Sequence, residues 1–151
     1  MIIVGEKING TIPSVQKAIA ERDEEFIRDL AIRQSEAGAD YIDVCAGTDP
    51  KIEIDVLKWL MGIVQDAVDT PLCIDSPNPR TIESMFPYAK HTGIINSVSE
   101  EGDKCEVIFP LIKGTEWQVI ALTCDNKGIP SDVQTRADIT KRLVDKAEKY
   151  D

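Results

Sequence analysis

PLCIDSPNPRTIESMF (71–86) reads as one strand, one turn and one helix. Leu72-Cys73-Ile74 is a short apolar run of the kind a sheet buries on both faces. Asp75 ends the run. Asn78 followed by Pro79 is an N-cap with proline at the first helical position, where its missing N–H costs nothing. Ile82, Met85 and Phe86 recur at helical spacing until Pro87 stops the helix. A carboxylate beside such a run is costly unless something donates to it, which makes Asp75 the sharpest single residue in the chain.

The same unit repeats on both sides. Ile2–Val4 and Tyr41–Val44 are apolar runs upstream, and Ile94-Ile95 and Val119–Leu122 follow downstream. Between them, Asp23 to Ala37 places Phe26, Ile27, Leu30, Ala31 and Ala37 on one face, and Gly38 is a natural stop. Leu57, Leu60, Met61 and Val64 share another face, and Ile139, Leu143, Val144 and Ala147 a third. Cys105 to Ile112 is helical in pattern, with Pro110 forcing a break or kink. Strict alternation predicts a parallel sheet, because parallel neighbours need crossover connections. Five βα units suit a doubly wound open sheet of about this length, or part of an eight-stranded barrel of about 250 residues. Length alone favours the open sheet. The finish at Lys149-Tyr150-Asp151, directly after a helix, is equally what the cut edge of something larger would look like.

Composition narrows the function. The 151 residues carry 27 acidic and 17 basic side chains, a formal charge of -10, with 42% apolar and 29% charged residues. That is an ordinary globular balance, and its acidity argues against nucleic acid or an anionic membrane as principal partner. No apolar stretch approaches a membrane span, and Met1–Val4 lacks the basic flank of a signal peptide. Cysteines at 45, 73, 105 and 124 have no C-x-x-C spacing and only His91 to join them, so reduced thiols in a cytoplasmic protein are expected, with no metal site.

Chemistry is expected where the strands end, since the carboxyl rim of a parallel α/β fold is where ligands bind. Glu6, Lys7 and Asn9 follow the first run; Asp43 and Cys45 lie in and after the second; Asp75, Asn96 and then Thr123, Cys124 and Asp125 follow the others. Such a ring has few cations. It offers acceptors and amide donors to a neutral, nitrogen-rich ligand and is a poor phosphate cradle. GEKING (5–10) also lacks the spacing of a phosphate-binding loop. Asp75 can accept two parallel N–H bonds from an amidine-like edge such as that of a 2-amino-4-oxo pterin, or act as a turn cap for Ser76 or a backbone N–H. Asn96 can read the neighbouring edge of such a ring, or bond its own loop. Asp43 either faces the rim or pairs with Lys7, the pairing being the plainer reading. Trp59 and Trp117 read as packing residues and His91 as solvated.

GEKING (5–10), GADYIDVCAG (38–47), PLCIDSPNP (71–79), INSVS (95–99) and ALTCDNKGIPSD (121–132), each in order after a strand, resemble the pterin-binding domain of methyltetrahydrofolate:corrinoid methyltransferases. The resemblance runs from Met1 to Asp151. Dihydropteroate synthase and the folate domain of cobalamin-dependent methionine synthase are its more general relatives. It implies a (β/α)8 TIM barrel of the pterin-binding type, of which residues 1–151 are about the first five βα units and the N-terminal part of a single domain. It implies pterin contacts at Asp75 and Asn96, with Glu6, Asn9, Asp43 and Thr123 as possible rim contacts. The catalytic asparagine at N5 would follow Asp151, so the isolated piece is expected to be inactive and the open edge of its fifth strand to invite self-association. The implied substrate is tetrahydrofolate or 5-methyltetrahydrofolate, and the implied cofactor is a cobalamin carried by a partner corrinoid protein. A homodimer is implied for the complete barrel. Cys45 stands where an Asn is common in relatives, and Val98-Ser99 after INS also departs from them.

Two other readings compete. Dihydropteroate synthase would need basic residues for a pyrophosphate and a long Ser/Asp-rich first loop, which GEKINGTIPS does not supply. A non-catalytic pterin-binding fragment is the alternative from outside enzymology.

Overall fold

The structure is a computed structural model describing residues 1–150; Asp151, where the expected span closes, lies outside them. Strands β1 (Val4–Asn9), β2 (Tyr41–Cys45), β3 (Leu72–Asp75), β4 (Ile94–Glu100) and β5 (Gln118–Asp125) form one parallel sheet in the order β1-β2-β3-β4-β5. A doubly wound sheet reverses its strand order at a switch point, whereas a barrel adds each strand beside the last. The sequential order excludes the open doubly wound alternative and is that of five βα units of a barrel.

Six helices alternate with the strands: α1 (Pro13–Glu21), α2 (Glu24–Glu36), α3 (Glu53–Ala67), α4 (Pro79–Met85), α5 (Lys104–Ile112) and α6 (Val133–Ala147). Their starts follow local chemistry. Asp23, Asn78 and Asp132 each accept a backbone N–H of the first turn, from Phe26, Arg80 and Thr135 at 3.0, 3.0 and 2.8 Å. Gly38, at φ 87°, follows α2 in the left-handed conformation that terminates helices. Pro110 lies in the last turn of α5, which stops two residues later at Ile112.

Strands β4 and β5 run past Ile95 and Leu122 to Glu100 and Asp125, and the start of the chain departs further from the sequence reading. The first strand is Val4–Asn9, not Ile2–Val4: Ile3 gives its carbonyl to the N–H groups of Asp40 and Tyr41 and its N–H to the Asp40 carboxylate, while Ile2 and Ile3 stay exposed. The apolar run precedes the strand, and Glu6 and Lys7 fall at a break in register between Gly5 and Ile8. Gln34 from α2 spans that break, its Oε1 accepting the Lys7 N–H at 2.8 Å. Helix α1 was not anticipated, although Pro13 at its start and buried Val15, Ala18 and Ile19 carry the helical period.

Register assigns the two faces of the sheet. Ile42, Val44, Leu72, Ile74 and Ile95 face the helices and join Ile27, Ala31, Leu57, Leu60, Met61, Ile82 and Ile108 in the core. The alternate residues Asp43, Cys45, Cys73, Asp75, Ile94 and Asn96 face the other, concave side. Where β1 and β2 end, the chains touch: the Gly10 N–H donates to the Cys45 carbonyl at 3.0 Å, and a Cβ on Gly10 would fall 1.8 Å from the Ala46 carbonyl oxygen. Gly10→Ala therefore forces these two loops apart, and chemical denaturation is expected to show a loss of about 1–3 kcal/mol; an unchanged midpoint would contradict this close approach.

Candidate functional site

Asn9, Cys45, Asp75 and Asn96 are successive register partners across four strands, so they form one row at the carboxyl ends. Asp43 and Cys73 form the row beneath. Two of the expected contacts, Asp75 and Asn96, are thus direct cross-strand neighbours on the concave face. Both are half-buried, whereas Asp43 retains only 2% of its exposure.

Asn96 Nδ2 donates to Asp43 Oδ2 at 3.2 Å, and the Cys73 thiol, on the register partner of Asp43, faces the same carboxylate. In the upper row Cys45 is the register partner of Asp75 and faces its carboxylate. Burial is the main cause that raises the Asp43 pKa to about 6, against the lowering effect of Cys73 and Asn96, with Asp75 and Glu6 adding repulsion. Asp75 is raised for the same first reason, with Glu6 and Glu53 repelling it. Burial beside Asp75 and Asp43 pushes Cys45 up to about 12 and raises Cys73 as well, so both thiols stay protonated. Among the described residues no lysine or arginine forms an ion pair with Asp43 or Asp75. The site is a bowl of carboxylates held by weak donors, with acceptor capacity to spare.

Other expected residues separate. Glu6 lies at the register break of β1, close enough for its charge to act on Asp43 and Asp75. Asn9 joins the upper row, but its Oδ1 already accepts the N–H and hydroxyl of Thr11 at 2.9 and 2.7 Å, which leaves its NH2 as the free edge. Thr123 is not brought to the bowl: it lines an apolar groove on the helix side with Phe109, Leu143 and Val144, and its neighbour Cys124 turns the other way, donating its thiol to Glu101. The Asp43–Lys7 pair does not form, because Asp43 is turned inward to Asn96. Ser76 does not cap Asp75 either. Its hydroxyl donates to Glu53 at 2.6 Å, while its N–H donates to the Asn96 carbonyl at 3.0 Å.

Glu53 is the residue the sequence reading missed. It retains 5% exposure and accepts from Ser76 and Thr81, at 2.6 and 2.8 Å, which fastens the start of α3 to the turn that carries Asp75. In sequence it is one more acid in a helix first turn, and nothing local marks its burial, since the flanking Ile52 and Ile54 are themselves exposed. The four cysteines are free and buried, Trp59 and Trp117 pack against the core, and His91 is exposed. Among the described residues no helix is long and apolar enough to cross a membrane.

The chain belongs to the pterin binding enzyme family, which it matches over residues 5–150. It is 57% identical over 152 residues to the methylcorrinoid:tetrahydrofolate methyltransferase of Eubacterium limosum, an alignment covering 99% of this chain and 56% of that protein. It is 25% identical over 150 residues to the methionine synthases of Mycobacterium leprae and Mycobacterium tuberculosis, covering 95% of this chain and 12% and 13% of theirs. The chain thus spans about half the length of the first relative and a small part of the other two.

The raised pKa of Asp43 makes a signed prediction. The folded protein holds this proton from the ordinary value of 3.8 up to about 6, where the unfolded chain has already released it. Stability from this group is therefore present at low pH and lost as pH rises through that window. Asp43→Asn removes the dependence. Between pH 4 and pH 7, wild type is expected to lose about 2–3 kcal/mol relative to the variant in urea denaturation. Parallel pH profiles for the two proteins would contradict the burial of an ionising Asp43.

Proposed function

We propose that the full-length protein containing this chain is a methyltransferase that moves a methyl group between N5 of tetrahydrofolate and the cobalt of a partner corrinoid protein, and that this chain supplies the floor that holds the pterin. The reading rests on family membership, on the relative named for that reaction, and on one observation: Asp75 and Asn96 stand side by side in register on a concave face whose carboxylates have no cation.

A 2-amino-4-oxo pterin presents adjacent N–H donors along one edge. Asp75, half-buried and accepting from no N–H or hydroxyl among the described residues, has lone pairs free to accept two of them in parallel. Asn96, one strand over, meets the next polar atom of the ring. A neutral donor edge relieves the repulsion among Asp43, Asp75 and Glu6, whereas a phosphate or pyrophosphate would add to it. The acidic bowl therefore favours a methylated folate over the pyrophosphate substrate of a dihydropteroate synthase.

N5 of methyltetrahydrofolate is a tertiary amine and a poor leaving group unless it is protonated or hydrogen-bonded as the methyl leaves. We assign no residue of this chain to that proton. Asp75 and Asn96 act by holding the ring so that N5 faces the open rim at a fixed angle, which contributes orientation. The corrinoid, carried by the partner protein, supplies the cobalt that accepts or gives the methyl. The remaining barrel strands and the group that serves N5 are proposed to lie outside residues 1–151.

Asp75→Ala in the full-length protein is expected to weaken methyltetrahydrofolate binding roughly 10- to 100-fold, the cost of losing hydrogen bonds to a charged acceptor. Isothermal titration calorimetry reads this directly. Equal affinity of variant and wild type would place the pterin elsewhere.

A further inference from the structure

Asn96 is an ambiguous reader by itself, because its amide can turn either its oxygen or its NH2 toward a ligand. The structure removes the ambiguity from below. Asp43 lies in the row under Asn96, 2% exposed, and accepts from Asn96 Nδ2 at 3.2 Å. An ionised carboxylate only accepts, so the edge of the amide that faces it must be the NH2 edge. Among the described residues the groups around Asp43 leave it no ion-pair partner: Cys73 faces it from β3, Asp75 stands one row up on β3, and Glu6 lies on β1.

We propose that Asp43 is a positioning residue for the pterin site, fixing the Asn96 amide with its NH2 toward the sheet so that Oδ1 is the atom offered to the ring. Asp43 does not touch the ligand in this arrangement. It acts through Asn96, and its burial beneath the upper row is what makes the contact indirect. The inference rests on the reading of Asp75 and Asn96 as the pterin contacts.

The consequence is coupling. Removing the Asp43 carboxylate frees the Asn96 amide to turn, and the benefit of Asn96 is lost with it. An asparagine at position 43 can accept from that N–H or donate to Asn96 Oδ1, so it supports the amide in either orientation and restores only part of what alanine loses.

The test is a double-mutant cycle on methyltetrahydrofolate affinity in the full-length protein, read by calorimetry, with Asp43→Ala, Asp43→Asn, Asn96→Ala and Asp43→Ala/Asn96→Ala. Asp43→Ala is expected to weaken binding about tenfold, Asp43→Asn to fall between Asp43→Ala and wild type, and the double variant to bind no more weakly than Asn96→Ala. A purely structural role is separated by the double variant, since a loss unrelated to Asn96 would persist when Asn96 is already alanine. Additive losses at 43 and 96 would overturn the positioning role while leaving the pterin reading in place. Failure of the wild-type protein to bind the folate would overturn both.

Discussion

Two carboxylates, Asp43 and Asp75, occupy the concave side of a parallel sheet with no ion-pair partner among the described residues, and the rest of the site is organised around that cost. Removing a carboxylate from water is expensive unless donors replace the lost hydration. The chain donates one amide N–H to Asp43 and turns the protonated Cys73 and Cys45 thiols toward the two carboxylates, which leaves lone pairs unfilled. Under the proposed function, a ligand edge made of N–H donors completes what the protein leaves incomplete. The acids are then both the destabilising element of the fold and the source of its selectivity, as expected where a site is built at the expense of stability.

The scaffold that tolerates this is ordinary. Aliphatic side chains on the opposite face of β2, β3 and β4 pack under α2, α3 and α4, and the strand registers that bury Val44 and Ile74 also bring Cys45 next to Asp75, and Asp75 next to Asn96. A slip of one residue in β3 would send Asp75 into the apolar layer, so the hydrophobic core sets the geometry of the polar row. Glu53 reinforces it from outside the bowl by tying α3 to Ser76 and Thr81.

Much of this was legible in the chain. Leu72-Cys73-Ile74 followed by Asp75, and Ile94-Ile95 followed by Asn96, place acid and amide at strand ends because apolar runs and cap residues are local signals. What failed was non-local. The strand Val4–Asn9 hides behind a register break whose polar residues do not alternate, and the apolar Ile2-Ile3 before it is exposed. Thr123 was placed on the rim because it follows an apolar run, but β5 continues to Asp125 and its alternation turns Thr123 to the helices. The Asp43–Asn96 hydrogen bond joins residues 53 apart in sequence, and no local pattern marks it. Family resemblance supplied the barrel; strand order in the structure distinguishes it from the open alternative that length favoured.

The account stands most directly on where a reduced pterin rests in the full-length protein. A crystal structure with bound methyltetrahydrofolate is expected to show ring N–H groups within about 3 Å of the Asp75 carboxylate, with the Asn96 amide alongside and N5 turned to the open rim. A pterin bound away from β3 and β4, or one seated in the bowl with no hydrogen bond to Asp75, would contradict it.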